Sequence, residues 1–309
     1  MTCYHPNDAY VSGYRESNGS KIIRFGKPQK PGQLTLQLPC GQCIGCRLDY
    51  SQMWAVRAMH EASLHEQSCM VTLTYDDEYL PHYGSLCPPH FTKFAKKLRY
   101  HFGPFRYLMA GEYGDSVGSR PHYHALLFGY RPDDLDLWFE NEGVPTYLSQ
   151  VLQQIWGMGF ITVSDLTLES AAYVARYALK KVKLSKKSPG ELHAHYERIC
   201  PITGEIRQVQ PEYSRMSNRP GIARDWYTKF NSDIFPYDTT IYKGRKIKTP
   251  RYYENLYRST DEFAFQRLKE ERRAKAIKHA ENNTPERLRV RETVKRASMR
   301  NIQRRYENS

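Results

Sequence analysis

The hydrophobic pattern between residues 69 and 183 predicts a β-rich core with amphipathic helices. Phe91, Phe94 and Leu98 recur at helical spacing, whereas residues 69–75 (CMVTLTY) form a short apolar run typical of a buried strand. The same criteria give strands at 69–75, 105–110, 122–130 and 160–163 and helices at 90–102, 148–156 and 169–183. The order β-α-β-β-α-β-α predicts an α+β fold of the ferredoxin-like, split-βαβ kind, with an antiparallel sheet and one added helix.

The flanking segments have different patterns. Residues 47–66 contain few helix breakers and predict a helix carrying Trp54, after an irregular stretch that ends in a cysteine cluster. Residues 183–190 are rich in Lys, Ser and Pro and are typical of a linker. We therefore divide the chain into a Cys-rich N-terminal segment with its helix (1–66), a core (67–185), an irregular aromatic and basic region (186–264) and a basic helical tail (265–309).

The charge of the chain indicates a polyanionic partner. Its 309 residues carry a formal net charge of +13, and such a surplus attracts polyanions, of which nucleic acid is the common one. Residues 265–309 contain 14 basic and 6 acidic side chains, a net charge of +8. This tail is expected to be a helical arm on DNA, and the alternative is a solvated helix laced with salt bridges.

Several classes of protein receive no support from the sequence. Residues 1–10 are polar, so we expect no signal peptide, and no run approaches the roughly 20 apolar residues of a membrane span. We therefore expect a cytosolic, reducing environment, no membrane partner, and no disulfide framework among the seven cysteines. No Gly-x4-Gly-Lys-Ser/Thr loop is present, so no ATP-driven motor is predicted.

Two histidines begin the strand predicted at 122–130. His122 and His124 are one residue apart, and alternate side chains of a strand share a face, so both imidazoles can reach one divalent cation. Glu112 lies across a short turn and is the expected carboxylate ligand, with Asp76 and Asp77 as alternatives. Two imidazoles and one carboxylate leave positions open for phosphate and water. The competing interpretation is a pair of ordinary strand histidines.

A second pair of histidines has the same spacing but a different context. His193 and His195 follow a stretch of Lys, Ser, Pro and Gly, and no apolar strand displays them. We interpret this pair as surface residues without a metal.

Two tyrosines lie four residues apart in the helix predicted at 169–183. Tyr173 and Tyr177 would share one face, about 6 Å apart along the axis. A phenol has a pKa of about 10, so it becomes a useful nucleophile only where a cation stabilises the phenolate. Lys180 follows on the same face and could offset phosphate charge or orient DNA. Two tyrosines packed in the core are the alternative.

The cysteines near the N-terminus have a chelating spacing. Cys40, Cys43 and Cys46 form a Cys-x-x-Cys-x-x-Cys motif, and Cys3 could supply a fourth ligand. Thiolates in this number suit a structural Zn²⁺ ion, which would help a segment with little core of its own to fold. An iron–sulfur cluster and three reduced cysteines on a turn are the alternatives.

The motifs together resemble a known superfamily. The strands CMVTLTY and RPHYHALLF and the helix YVARYALKK resemble the three motifs of the HUH endonucleases that initiate rolling-circle replication. The tyrosine pair resembles the two-tyrosine branch. The segment PCGQCIGCR and the order of motifs are similar to the replication-associated proteins of the Microviridae, particularly the gokushoviruses, and the stretch SNRPGIARDW at 217–226 extends the likeness.

The resemblance implies an activity and its partners. Such a protein nicks one strand of the replicative-form DNA at the origin, keeps the 5′ phosphate on a tyrosine, and later releases a circular single strand. Tyr173 and Tyr177 match the nucleophile positions, His122 and His124 match the ligands of a Mg²⁺ or Mn²⁺ ion, and a host helicase and DNA polymerase are implied in the bacterial cytoplasm. Relatives with one tyrosine carry Tyr-x-x-Lys, which Tyr177 satisfies, so the order of tyrosine use stays open.

Two further functions fit the same sequence. One is a zinc-containing DNA-binding protein without enzymatic activity, in which the tyrosines only pack. The other is a relaxase or transposase of the same superfamily.

Overall fold

The structure is a computed structural model that describes residues 3–17, 21–114, 120–141, 143–177, 196–199 and 203–300. Its strands are β1 (Asn7–Tyr14), β2 (Lys21–Phe25), β3 (Thr35–Leu38), β4 (Ser68–Thr74), β5 (Arg106–Tyr113), β6 (Pro121–Phe128), β7 (Leu135–Asn141), β8 (Val144–Ser149), β9 (Ile161–Asp165), β10 (Glu197–Ile199), β11 (Ile206–Gln208), β12 (Tyr213–Met216), β13 (Thr240–Tyr242) and β14 (Arg245–Ile247). Its α-helices are α1 (Ile44–Ala62), α2 (Pro88–Phe102), α3 (Gln150–Trp156), α4 (Leu168–Tyr177), α5 (Arg224–Phe230), α6 (Arg251–Thr260), α7 (Glu262–Ile277) and α8 (Pro285–Arg300).

The chain divides into two compact units. Unit 1 comprises residues 1–50 and 261–303, and unit 2 comprises residues 51–260. None of the helices in the described ranges is both long enough and apolar enough to cross a membrane.

Unit 1 contains a small antiparallel sheet and the basic helices. The strand order is β2-β1-β3, and α7 and α8 cover most of the region predicted as a helical tail. The prediction that residues 1–46 are irregular is wrong. Every residue of β2 is exposed, so its sequence KIIRF does not alternate between buried and exposed positions, and a bulge between Val11 and Gly13 interrupts the pattern of β1.

Unit 2 is built on a seven-stranded sheet with the strand order β12-β5-β6-β4-β9-β8-β7. Each neighbouring pair is antiparallel. The predicted order of elements, β-α-β-β-α-β-α, is present in β4, α2, β5, β6, α3, β9 and α4. The protein is thus an α+β protein with a large antiparallel sheet and helices, as the sequence predicted.

One face of this sheet is apolar and carries the core. Odd-numbered residues of the central strands, such as Val71, Tyr123 and Val163, point towards α2 and α3. They pack against Phe91, Phe94, Leu98, Leu152, Ile155 and Trp156 of those two helices. Burial of this many apolar and aromatic side chains is the main source of stability for unit 2.

The opposite face of the sheet is polar and lies under α1 and α4. The even-numbered residues Thr72, His124 and Thr162 belong to this face. The Ser51 hydroxyl of α1 donates a hydrogen bond of 2.7 Å to the carbonyl of Ala172 in α4. This bond joins the two helices above the strand that carries the histidine motif.

Two features of unit 2 differ from the sequence prediction. A hairpin of β7 and β8, for which no prediction was made, is inserted before α3 and extends the sheet past β9. The region 186–264 was predicted to be irregular, which is wrong for its described part: it contains β10 to β14, α5 and α6. These strands are only three or four residues long, too short for an alternating pattern to be recognised.

The segment 217–226 fastens several elements of unit 2 together. The amide of Tyr107 in β5 donates to the Ser217 hydroxyl at 3.1 Å. The guanidinium of Arg57 in α1 donates to the carbonyl of Ile222 at 2.9 Å. The stretch singled out in the sequence thus links β5 to α1.

Candidate functional site

The histidine motif lies on β6 at the centre of the sheet, as its apolar context predicted. His122 is directly opposite Glu112 of β5 in the strand pairing. The prediction that the strand before the turn ends at residue 110 is wrong, because β5 continues to Tyr113. This extension is what fixes Glu112 as a cross-strand neighbour of the histidines.

Three possible metal ligands converge at this point. The Glu112 Oε1 atom lies 3.0 Å from His122 Nε2 and 2.9 Å from His124 Nε2. Glu112 and His124 are almost completely buried, whereas His122 is partly exposed. The site thus has a buried floor and one side open to solvent.

The other nitrogen of each imidazole is held by a neighbouring group. His122 Nδ1 is 3.0 Å from the Arg120 carbonyl, which can only accept, so this nitrogen carries the proton. His124 Nδ1 is 2.9 Å from the hydroxyl of Thr72 on β4. With Nδ1 protonated in both rings, both Nε2 atoms present a lone pair towards Glu112. Such outer hydrogen bonds orient histidines that bind metal ions.

The charge of Glu112 is maintained despite its burial. Burial by itself would raise the pKa of Glu112, but hydrogen bonds from His122 and His124 outweigh it, and the pKa is lowered to about 2. The carboxylate is therefore ionised at neutral pH. A buried anion needs a cationic partner, and the site can provide one as an imidazolium proton or as a metal ion.

The donor set fits a divalent cation. Adjacent ligands of an octahedral ion at about 2.1 Å lie about 3 Å from each other, which matches the two measured separations between Glu112 and the histidines. Two imidazoles and one carboxylate on one side leave the remaining positions for water or phosphate. The residues present therefore suit Mg²⁺ or Mn²⁺.

The alternative carboxylates do not join this cluster. Asp77 forms an ion pair with Arg120, and the side chains of Asp76 and Asp77 are exposed. Among the described residues, the cluster of possible ligands at this place consists of Glu112, His122 and His124. The second pair, His193 and His195, lies outside the described residues.

One of the predicted tyrosines lies beside the histidines. Helix α4 packs against β5 and β6, and the ring of Tyr173 meets the ring of His124 edge to face, with 5.1 Å between centroids. The Arg176 guanidinium lies 5.6 Å from the centre of the Tyr173 ring. Tyr173 is only 4% exposed, so substrate can reach its hydroxyl only after some of the covering groups move.

The other residues predicted for this helix are less fully described. Tyr177 is the last residue of α4, one helical turn after Tyr173, and its side chain lies outside the described part of the chain. Lys180 also lies outside the described residues.

Thr72 is a site residue that the sequence interpretation missed. The alternation in CMVTLTY placed Val71 and Leu73 in the core and therefore Thr72 on the opposite face, which was the available signal. Its position across from His124 depends on the pairing of β4 with β6, which the sequence does not reveal.

The four predicted cysteine ligands lie together in unit 1. The sulfur atoms of Cys3, Cys40, Cys43 and Cys46 are all within 4.8 Å of one another. Burial by itself would raise the pKa of Cys43, but hydrogen bonds from backbone amides, including that of Tyr4, and from neighbouring thiols lower it to about 7. The group is thus a second set of donors that is compatible with a metal ion.

The fold and the site define a replication protein, because a known family of such proteins matches the residues that build them. The family model of the replication-associated protein ORF2 matches residues 68–182, from β4 through α4. The chain is 34% identical over 253 residues to replication-associated protein ORF2 of Spiroplasma virus 4, covering 76% of this chain and 72% of that relative. It is 31% identical over 248 residues to replication-associated protein VP4 of Bdellovibrio phage phiMH2K, covering 77% and 72%.

The chain therefore belongs to the family of phage replication-associated proteins. A third relative, replication-associated protein ORF4 of Chlamydia phage 1, is 28% identical over 236 residues, covering 73% of this chain and 55% of the relative. These matches confirm the resemblance to the rolling-circle initiators of Microviridae-like phages. No solved structure matches the chain.

Proposed function

We propose that this protein is an origin-specific endonuclease and strand transferase that starts and ends rolling-circle replication of a circular single-stranded phage genome. The observation that carries the proposal is the contact between the histidine cluster and the nucleophile helix, with 5.1 Å between the rings of His124 and Tyr173. A metal site beside a phenol is the arrangement that cleavage by a tyrosine requires.

In this proposal His122, His124 and Glu112 hold Mg²⁺ or Mn²⁺. When bound, the ion stabilises the charge that gathers on the phosphate oxygens. Glu112 supplies a negative charge to the ligand set, and the Arg120 carbonyl and Thr72 hold the imidazoles in the ligating orientation. Because His122 is the partly exposed ligand, the phosphate approaches from its side.

The covalent step exchanges one phosphodiester for another. A tyrosine oxygen bonds to phosphorus, the bond from phosphorus to the 3′ oxygen of the preceding nucleotide breaks, and the phenol proton ends on that oxygen. The products are a 5′-phosphotyrosine and a free 3′-OH that can prime synthesis. Joining is the reverse exchange, and Tyr173 and Tyr177 alternate as acceptor and donor, with Lys180 oriented towards the phosphate.

The strand order supports assignment to the HUH class. The four central strands follow the order β5-β6-β4-β9, which is the order of the antiparallel ferredoxin-like sheet. In this class the partners are replicative-form and single-stranded viral DNA, with a host helicase and DNA polymerase in the cytoplasm of the infected bacterium. A relaxase or transposase of the same superfamily would use the same chemistry on different DNA.

A binding protein without enzymatic activity is the second candidate. The cysteine cluster of unit 1 and the nearly complete burial of Tyr173 favour this function. It requires that the protein bind origin DNA and never become attached to it.

The formation of a covalent adduct separates the two candidates. An origin-bearing single strand, incubated with the protein and Mn²⁺, is expected to give an adduct that survives denaturant. Replacing both tyrosines, Tyr173→Phe with Tyr177→Phe, should abolish it. Tyr100→Phe is the matched control, because Tyr100 is 86% exposed on α2, which packs on the other face of the sheet. An adduct in the double variant would refute the nucleophile assignment, and no adduct with any origin strand would favour the binding protein.

A further inference from the structure

The four cysteine sulfurs of unit 1 form a group of the size that one tetrahedral ion requires. The sulfurs of Cys3 and Cys43 are 4.0 Å apart, and all four lie within 4.8 Å of one another. Sulfur ligands at about 2.3 Å from a tetrahedral Zn²⁺ ion are separated by about 3.8 Å. A cluster of several irons would spread its ligands more widely. We call Cys3, Cys40, Cys43 and Cys46 the cysteine cluster.

Backbone amides point at the sulfurs of the cysteine cluster. The amide of Cys40 donates to the Cys3 sulfur at 3.2 Å, and the amide of Tyr4 donates to the Cys43 sulfur at 3.4 Å. The Cys40 sulfur accepts from the amides of Gln42 and Cys43 at 3.4 and 3.3 Å. The Cys46 sulfur accepts from the backbone of Gly41.

These hydrogen bonds favour thiolates over thiols. A sulfur that accepts from amides is stabilised in its charged form, which is the form that binds metal. All four residues are free cysteines, so no disulfide competes for the sulfurs. The chain also brings Cys3 to the other three across 37 residues, which closes the loop that contains β1, β2 and β3.

The positive charge of the chain is concentrated in the unit that contains the cysteine cluster. Residues 1–50 and 261–303 carry a net charge of +8 over 93 residues, whereas residues 51–260 carry +4 over 210 residues. Lys269 and Arg273 are one turn apart on α7 and exposed. Unit 1 therefore has the charge density that attracts phosphates, and unit 2 contains the candidate chemistry.

We propose that the cysteine cluster binds one structural Zn²⁺ ion and that unit 1, organised by this ion, is a DNA-backbone-binding module separate from the nicking site. The metal part of the proposal is independent of the proposed function. The DNA part rests on the protein acting on DNA but not on tyrosine chemistry. One metal thus serves folding and binding in unit 1, and the other serves the reaction in unit 2.

Elemental analysis of the full-length protein tests the metal. Protein purified from medium containing zinc and iron is expected to hold about one zinc per chain, and Cys40→Ser with Cys43→Ser should hold none. Cys87→Ser is the matched control, since Cys87 lies outside the cysteine cluster, and it should keep its zinc. Replacement with Co²⁺ should give the absorption of a tetrahedral thiolate complex in the wild type, which does not depend on the folding of a variant.

Three results would overturn the zinc assignment. They are wild-type protein that holds no zinc after this purification, iron in place of zinc, or zinc that persists in the double cysteine variant but disappears in His122→Ala. The last result would move the zinc to the histidine cluster.

Binding to a short DNA duplex at several salt concentrations tests the DNA part. Lys269→Ala with Arg273→Ala should weaken binding about tenfold at low salt and reduce the slope of log K against log salt by about 0.9 for each lost phosphate contact. Lys96→Ala with Lys97→Ala, an exposed pair on α2 of unit 2, is the matched control and should change neither. Equal effects of the two pairs, or no effect of either, would refute the module. Cleavage is not measured, so failure here is distinct from failure of the nicking proposal.

Discussion

Thr72 and His124 lie directly opposite each other on β4 and β6, and their side chains are 2.9 Å apart between Oγ1 and Nδ1. With the proton on Nδ1, the threonine oxygen accepts, and Nε2 faces the carboxylate of Glu112 at 2.9 Å. A residue outside the ligand set thus determines which nitrogen of His124 can bind an ion.

Removing this hydrogen bond should weaken metal binding. Thr72→Val keeps the shape of the side chain but loses the acceptor, so the affinity for Mn²⁺ is expected to fall about 10- to 100-fold by calorimetric titration. Thr72→Ser should restore most of the affinity. The control is Thr162→Val on the neighbouring strand and the same face, and a similar loss there would mean that Thr72 acts only through packing.

The ligand set can be tested against its own alternatives in the chain. Glu112→Gln and His122→Ala should each abolish the rise in melting temperature that Mn²⁺ gives, because binding to the folded state stabilises it. Asp76→Asn and His195→Ala should leave that rise intact. A normal response to Mn²⁺ in Glu112→Gln would exclude Glu112 as a ligand.

The two tyrosines should have separable roles. Tyr173→Phe or Tyr177→Phe alone should still form a covalent adduct, because the other phenol can attack. Each single variant should release circular product at least about tenfold more slowly, since a second phenol is needed for transfer. The assay follows adduct and circles on one gel. Unchanged circle release in both variants would show that one tyrosine is sufficient.

His60 should make the stability of unit 2 depend on pH. Burial lowers the pKa of His60 to about 4, and its ring stacks on Trp226 and bonds to the Tyr253 hydroxyl at 2.8 Å. The unfolded histidine has a pKa of about 6.5, so the stabilisation is complete above that pH and is lost as the pH falls towards 4. Between pH 7.5 and 5, unfolding in urea should lose about 2 kcal/mol, a loss that His60→Gln should lack.

Gly159 should be intolerant of any side chain. Its φ is +144°, and a Cβ there would meet the backbone amide of Asp76 and lie 2.5 Å from the Thr74 carbonyl, which cannot move without disturbing the sheet. Gly159→Ala is expected to destabilise unit 2 by about 3 kcal/mol or more. Gly143→Ala is the control: its φ is also positive, but nothing lies nearby, so about 1 kcal/mol is expected.

The central sheet and the ligand pair were predictable because their signals are local. Val71 and Leu73 alternate with Thr72, and His122 and His124 share a face in any strand that contains both. Helix α2 was equally clear, because its apolar residues face a single core.

The remaining features depend on contacts between distant residues. The exposed strand β2 has no buried side to leave a pattern. The hairpin of β7 and β8 contains a register shift between Leu137 and Phe139 that breaks the alternation. The approach of Cys3 to Cys40, and of Thr72 to His124, follows from chain pairing that no short window of sequence contains.

The two faces of the large sheet have a consequence for how this protein can change. The aromatic packing that keeps unit 2 folded lies on the side away from Glu112 and the histidines. Chemistry and folding therefore draw on different side chains of the same strands. A population of phages can exchange ligands or nucleophiles on one side, and so explore new origins or ions, while selection for a foldable protein acts mainly on the other.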